Sequence, residues 1–214
     1  MRKLILLILA ILFAFPCPVL AEIDRELRFK FGSAARPDRI EFQNAVGHGS
    51  SKNGTNAQVE VVLSPQRDSA VRFIMTLGLF HRDHSGKIND LSFPISVDYS
   101  VYGMSVAPGL RLRLNDAWNF EGKLEVGASN TGNMRLNSPG VSWNAMRAGD
   151  YTSLSLIAGW YYSFAGSASQ VGFELGYQKF NGDFEIWSNS GSNWSSGTLN
   201  GTNGTANILY GIQF

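Results

Sequence analysis

A hydrophobic period of two residues constrains this chain more than any other feature. Val71, Phe73, Met75, Leu77 and Leu79 alternate with Arg72, Ile74, Thr76 and Gly78. Leu154, Leu156, Ala158, Trp160, Tyr162 and Phe164 are spaced the same way, with Ser153, Ser155, Gly159, Tyr161 and Ser163 between them. Val171, Phe173, Leu175 and Tyr177 alternate with Gly172, Glu174, Gly176 and Gln178, and Ile208, Tyr210, Ile212 and Phe214 with Asn207, Gly211 and Gln213. Successive side chains of a strand point to opposite faces, so alternation of this length predicts half-buried strands and not helices.

Turn signals divide the chain into eight such strands, at about 24–32, 57–64, 70–80, 96–114, 119–127, 151–164, 170–187 and 206–214. Short polar connections fall at 64–69, 115–118 and 165–169, and long ones at about 32–56, 81–93, 128–150 and 188–205. Short and long connections alternate, and the even count brings both chain ends to the side of the short turns. That is the layout of an all-β, eight-stranded antiparallel transmembrane β-barrel, an up-and-down meander with apolar residues outward and polar residues inward. A soluble β-sandwich also shows alternating strands. Against it stand a broad apolar face that is aromatic at its ends (Trp118, Phe120, Trp160, Tyr162, Phe164, Tyr210 and Phe214), as membrane-interface girdles are, and the charge carried by the opposite face. Arg39 to Phe42 competes with Leu27, Phe29 and Phe31 for the first strand.

Composition agrees with this reading and excludes others. The chain is 44% hydrophobic but only 16% charged, below the roughly 25% of soluble domains. A formal net charge of +1 leaves no electrostatic footprint for nucleic acid. Met1-Arg2-Lys3, the apolar run Leu4–Phe15, and Val19-Leu20-Ala21 form the three-part pattern of a secretory signal peptide, predicted to be cleaved after Ala21. The expected domains are thus a signal peptide, 1–21, and a barrel, 22–214. The single cysteine, Cys17, leaves with the signal peptide, so no disulfide or cysteine metal cage is expected.

The last seven residues, Ile208-Leu209-Tyr210-Gly211-Ile212-Gln213-Phe214, end in an aromatic with apolar residues at alternate positions before it. They resemble the terminal β-signal of bacterial outer-membrane proteins. With the signal peptide and eight strands, the chain resembles the small outer-membrane barrels of the OmpX and OmpA transmembrane-domain type. The resemblance implies a bacterial outer-membrane location and recognition of Ile208, Tyr210, Ile212 and Phe214 by the barrel assembly machinery. It also implies help from periplasmic chaperones and contact with lipopolysaccharide and other outer-membrane lipid. A monomer without cofactor is expected.

Reading the pleat inward gives a set of charges of both signs: Arg28, Lys30, Glu60, Arg72, Arg111, Arg113, Glu121, Lys123, Glu125 and Glu174. The tight turn at 115–118 is expected to set Arg111 and Arg113 across a hairpin from Glu121 and Glu125. An eight-stranded barrel is only wide enough for side chains to fill, so these charges are expected to pair as a plug and not to line a pore. His81-Arg82-Asp83-His84-Ser85 offers a base, a carboxylate and a hydroxyl, placed by this reading on a loop rim. A motif without geometry is only a hypothesis, so no catalytic or metal residue is assigned. Asn-Gly-Thr at Asn53, Asn200 and Asn203 reads as turn chemistry. The expected function is non-catalytic, a structural or surface-interaction role through the extracellular loops. The alternatives are a lipid-modifying enzyme of the outer leaflet using His81, Asp83, His84 or Ser85, and a narrow passive channel.

Overall fold

The computed structural model describes residues 23–42, 45–49, 54–65, 69–88, 95–138, 141–187 and 194–214, so the expected signal peptide lies outside the described residues. In chain order the strands are β1 (Ile23–Ala34), β2 (Arg39–Phe42), β3 (Ala45–Gly49), β4 (Gly54–Pro65), β5 (Val71–Ile88), β6 (Ile95–Arg113), β7 (Trp118–Ser138), β8 (Val141–Ser163), β9 (Ser169–Trp187) and β10 (Trp194–Gln213). Eight of them form an antiparallel meander, β1-β4-β5-β6-β7-β8-β9-β10, and β1 pairs back onto β10 from Glu26↔Gln213 to Gly32↔Asn207. Among the described residues the sheet therefore closes on itself as a barrel.

Two turns show why the strands end where they do. The side-chain Oδ1 of Asn115 accepts hydrogen bonds from the backbone N–H of Ala117 and Trp118, both at 2.9 Å, which folds the β6–β7 connection into four residues. The β8–β9 turn needs a left-handed residue, and Gly166 supplies it with φ of 68°.

At the turn end of the barrel the outward face is apolar. On β5 it runs from Val71 to Leu79, on β9 from Val171 to Tyr177, and on β8 from Tyr162 to Leu154. About nine residues per strand, tilted as barrel strands are, give an apolar belt close to the ~25 Å expected of a transmembrane barrel. Aromatics crowd its turn-end border, where Phe120, Trp160 and Phe173 stand side by side at 5.1 and 4.9 Å between ring centres and Tyr162 packs on Trp118 and Phe164.

The segments expected as long loops are largely wall. β5 continues through 81–88, β7 and β8 occupy 118–138 and 141–163, and β10 begins at Trp194. The alternation does not stop above the belt; it changes face. Asp83, Asp98, Arg135, Asn181 and Asp183 now point outward, while Tyr99, Met134, Tyr151, Phe180, Phe184 and Leu199 point inward and are buried in one apolar cluster. β-bulges at the register shifts between Tyr102 and Met104, Met134 and Leu136, and Ala148 and Tyr151 adjust the phase. The molecule is a membrane barrel continued by a tower with the polarity of a soluble protein.

The connection expected at 32–56 holds the β2–β3 hairpin. β2 pairs β10 (Arg39↔Asn200) and β3 pairs β5 (His48↔Lys87), so the hairpin replaces β1 and β4 in the tower wall. The first strand is thus Ile23–Ala34, and Arg39–Phe42 is a strand of its own. Between Gly32↔Asn207 and Arg39↔Asn200 the backbone ladder is broken. Side chains bridge the gap: Asp38 Oδ2 accepts from the Thr202 N–H at 2.6 Å, and Ser33 Oγ accepts from the Ala206 N–H at 2.9 Å. Asn200 and Asn203 lie within β10 and not in turns; Asn53 is outside the described residues.

Candidate functional site: a charged lumen beneath an aromatic layer

The inward face of the belt region holds ten buried charges, none more than 9% exposed: Arg28, Lys30, Arg82, Arg111 and Lys123 against Glu26, Glu60, Glu121, Glu125 and Glu174. Five cations meet five carboxylates. A charge taken out of water in this way persists only when paired, and the geometry pairs all ten in three layers, Glu60 through ion-pair contacts to Lys30 and Lys123 without a well-aligned hydrogen bond.

Nearest the turn end, two arginines lie between two glutamates. Arg28 reaches Glu121 through both Nη atoms at 2.7 Å and Glu26 through Nε at 2.5 Å, and Arg111 joins Glu121 at 2.7 Å and Glu26 at 2.8 Å. These are the fork-to-fork contacts that guanidinium geometry favours. Above them Lys30 pairs with Glu60 at 2.5 Å and Glu174 at 3.0 Å, Lys123 pairs with Glu174, and the Tyr161 hydroxyl donates to Glu174 at 2.5 Å. In the third layer Arg82 pairs with Glu125 at 2.6 Å and donates to Ser153 and Asn56, while Gln58 donates to the second Glu125 oxygen at 3.0 Å. The void among Lys30, Gln58, Arg82 and Glu125 is about 10 Å³, room for a single water.

Two glycines make the middle layer possible. Tyr161 projects into the lumen over Gly159 and Gly172; a Cβ at Gly172 would sit 2.6 Å from the Tyr161 ring, and one at Gly159 2.7 Å from its hydroxyl. The ring in turn carries the Arg28 guanidinium at 4.2 Å from its centroid.

Over the charges lies the floor of the tower. Phe80 covers Arg82 at 4.2 Å, and His84 stacks on Phe180 at 4.2 Å and faces Tyr151 at 5.6 Å. The His84 Nδ1 is 2.7 Å from the Ala35 carbonyl, where the chain crosses between β1 and β2.

A second polar group faces outward just above the belt. His81 Nε2 lies 2.9 Å from Ser100 Oγ and 3.3 Å from Asp83 Oδ1, Ser100 donates to Asp83, and Thr55 donates to the other Asp83 oxygen at 2.8 Å. His81 stacks on Tyr102 at 4.4 Å. A serine triad has the serine donating to one imidazole nitrogen and the acid holding the other. Here serine and acid converge on the same nitrogen and bond to each other, and the β5–β6 ladder runs unbroken past them, engaging the backbone amides an oxyanion would need.

No protein-family model matches the chain, and no curated protein matches it. Solved structures do. The outer membrane protein OprG from Pseudomonas aeruginosa superposes with a TM-score of 0.52 at 15% identity, over 89% of this chain and 95% of OprG. The chain has the fold of an outer-membrane β-barrel. Ail, the attachment invasion locus protein of Yersinia pestis, covers 90% of the chain and 98% of its own at 17% identity and a TM-score of 0.42. Neisserial surface protein A covers 90% and 97% at 11% identity and 0.37.

Within this outer-membrane barrel fold, Arg28, Lys30, Glu60, Arg111, Glu121, Lys123, Glu125 and Glu174 come together inside the lumen. Arg72 and Arg113 do not join them. Both stand at the turn-end mouth, Arg72 paired with Asp24 at 3.2 Å and Arg113 with Asp116 at 2.6 Å. Across the β6–β7 hairpin the register sets Arg111 opposite Glu121 but Arg113 opposite Asn119, so the expected contact of Arg113 with the glutamates is absent. Glu26 and Arg82 complete the network; Glu26 has the parity of Arg28 and was readable from it, whereas Arg82 was hidden by the reading of 81–85 as loop. On strand β5 that pentapeptide is split, His81, Asp83 and Ser85 outward and Arg82 and His84 inward, so His81 and His84 do not share a site. The hydroxyl beside His81 is Ser100, from the neighbouring strand, which only the register reveals. Ile208, Tyr210 and Ile212 face outward on β10, and Phe214, just past its end, is exposed. Among the described residues no three His, Cys, Asp or Glu side chains are grouped to hold a metal.

Proposed function

We propose that the protein is a monomeric, closed barrel of the bacterial outer membrane that acts without catalysis, through surface interaction by its tower. The observation that carries this reading is the stacking of two dissimilar seals, the neutral layers of paired charge in the belt and the aromatic layer on which the tower stands. A solute crossing the barrel would have to break buried ion pairs and then enter an apolar core. The turn end, with both described chain ends, faces the periplasm and the tower faces outward, as in barrels with short periplasmic turns. Insertion by the barrel assembly machinery, with periplasmic chaperones, uses the outward Ile208, Tyr210 and Ile212 and the exposed Phe214, and the belt contacts outer-membrane lipid including lipopolysaccharide.

A lipid-modifying enzyme is the second reading, favoured by the Ser100–His81–Asp83 group at the height of the outer-leaflet headgroups. Its wiring supports a polar rim instead. Lipid A from cells with and without the protein decides between the two. Identical acyl composition is expected; a difference abolished by Ser100→Ala would overturn the non-catalytic reading.

A further inference from the structure

The turn-end mouth opens into a blind cavity of about 540 Å³, with the Arg28–Glu26–Glu121 layer beneath it. Arg72, Arg111 and Arg113, on inward-facing positions, line it together with Arg25, which has the outward parity of Leu27 and Phe29 on β1, against two side-chain carboxylates, Asp24 and Asp116. Their placement is costly. Arg72 and Arg111 sit directly opposite each other on β5 and β6, and Arg113 follows Arg111 on the same face. Like charges at opposed positions of an antiparallel pair repel.

Only Arg111 is fully answered, by Glu26 and Glu121. Arg72 has one ion pair, to Asp24, and its buried Nε has no hydrogen-bond partner among the described residues. Among the described residues Arg113 pairs only with Asp116, whose side chain is 97% exposed and free to be displaced. Arg25 makes no ion pair among the described residues. Asn119, Ser163 and Gln213 add neutral hydrogen-bonding groups to the wall.

We propose that this mouth binds a phosphate-bearing anion, gripped chiefly by Arg72 and Arg113. The planar fork of a guanidinium matches a phosphate through two parallel hydrogen bonds, and a multivalent anion relieves the repulsion that the two aspartates leave. Such a phosphate comes either from a soluble compound or from the headgroup of an anionic phospholipid in the leaflet around the mouth. The binding does not depend on the closed-lumen reading, since the arginines that would hold the anion stand at the mouth, outside the charge layers.

The test uses the mature protein in zwitterionic detergent, with thermal unfolding followed as pyrophosphate is added at constant ionic strength, and in parallel in phosphatidylcholine bicelles with and without phosphatidylglycerol. A saturable rise in Tm with pyrophosphate identifies a soluble source, and one with phosphatidylglycerol alone a lipid source. Arg72→Gln and Arg113→Gln should each weaken that response about tenfold, the loss of a charged hydrogen bond. Without anion, Arg72→Gln should unfold at the same temperature as the parent or above it, because repulsion from Arg111 is removed. No saturable rise with either ligand, or a rise unchanged in both variants, overturns the proposal. So does an anion-free Tm lowered by Arg72→Gln, which would make Arg72 a structural partner of Asp24.

Discussion

Arg28 and Arg113 are two arginines on inward-facing positions of adjoining parts of one lumen, and their surroundings give them opposite weights. Removing Arg28 leaves Glu26 and Glu121 in the interior with Arg111 between them and Lys123 no nearer than 3.9 Å to Glu121. Breaking a buried pair in this way costs about 3–5 kcal/mol, and an exposed pair such as Arg113–Asp116 contributes about 0–1 kcal/mol. Urea unfolding in detergent should therefore place Arg28→Ala far below the parent and Arg113→Ala beside it; equal losses would mean that burial does not set the hierarchy. Gly172→Ala tests the space taken by Tyr161. The new methyl meets both the ring and the Trp160 carbonyl, 2.6 and 2.8 Å away, and overpacking of this kind costs about 1–3 kcal/mol in the same assay. At this scale the sequence was partly transparent. Parity alone identified Arg28, Lys30, Lys123 and Glu174 as inward, because a strand leaves a side chain only two directions. It could not say that Arg72 and Arg113 stop at the mouth, since depth along the barrel depends on stagger between strands, nor that Ser100 would meet His81.

The strands are longer than their outward apolar runs; the full length of β9 was expected, at 170–187, but the upper parts of β5, β7, β8 and β10 were not, and the pattern on β9 shows the reason. Val171, Phe173, Leu175 and Tyr177 are odd-numbered and outward; Phe180 and Phe184 are even-numbered and inward. The outward face loses its apolar run at Gln178–Lys179 while the strand goes on, and the same change on β5, β7, β8 and β10 reads as the end of a strand, when it marks the point where the wall leaves lipid and enters water. On those four strands the polar run was legible, but as loop, because loops and the outer face of a tower share a composition. The edge of the belt can be located by two substitutions on the outward face of β9. Leu175→Arg places a charge in lipid and should cost about 2–4 kcal/mol on refolding into bilayers, whereas Asn181→Arg should cost almost nothing. A penalty at 181 as large as at 175 would extend the belt into the tower. Phe180→Ala, between them but inward, should lose about 3–5 kcal/mol through the cavity it leaves.

Across the whole molecule the near-neutral composition has a structural meaning. Charges are scarce because the belt excludes them from its outer face, and those inside are matched five against five. The tower then inverts the polarity, so paired ions, with Tyr161 among them, lie inside the barrel below and an apolar, largely aromatic cluster lies above. Eight strands and their order were legible from the alternation and the turns; the inversion was not, because it changes which face is apolar without changing the period. The closed lumen is the claim on which the rest of the functional account depends, and planar-bilayer recording of the purified protein tests it most directly. The account predicts no steady conductance for the parent. Steady, ohmic conductance from the folded, heat-modifiable parent protein would contradict it.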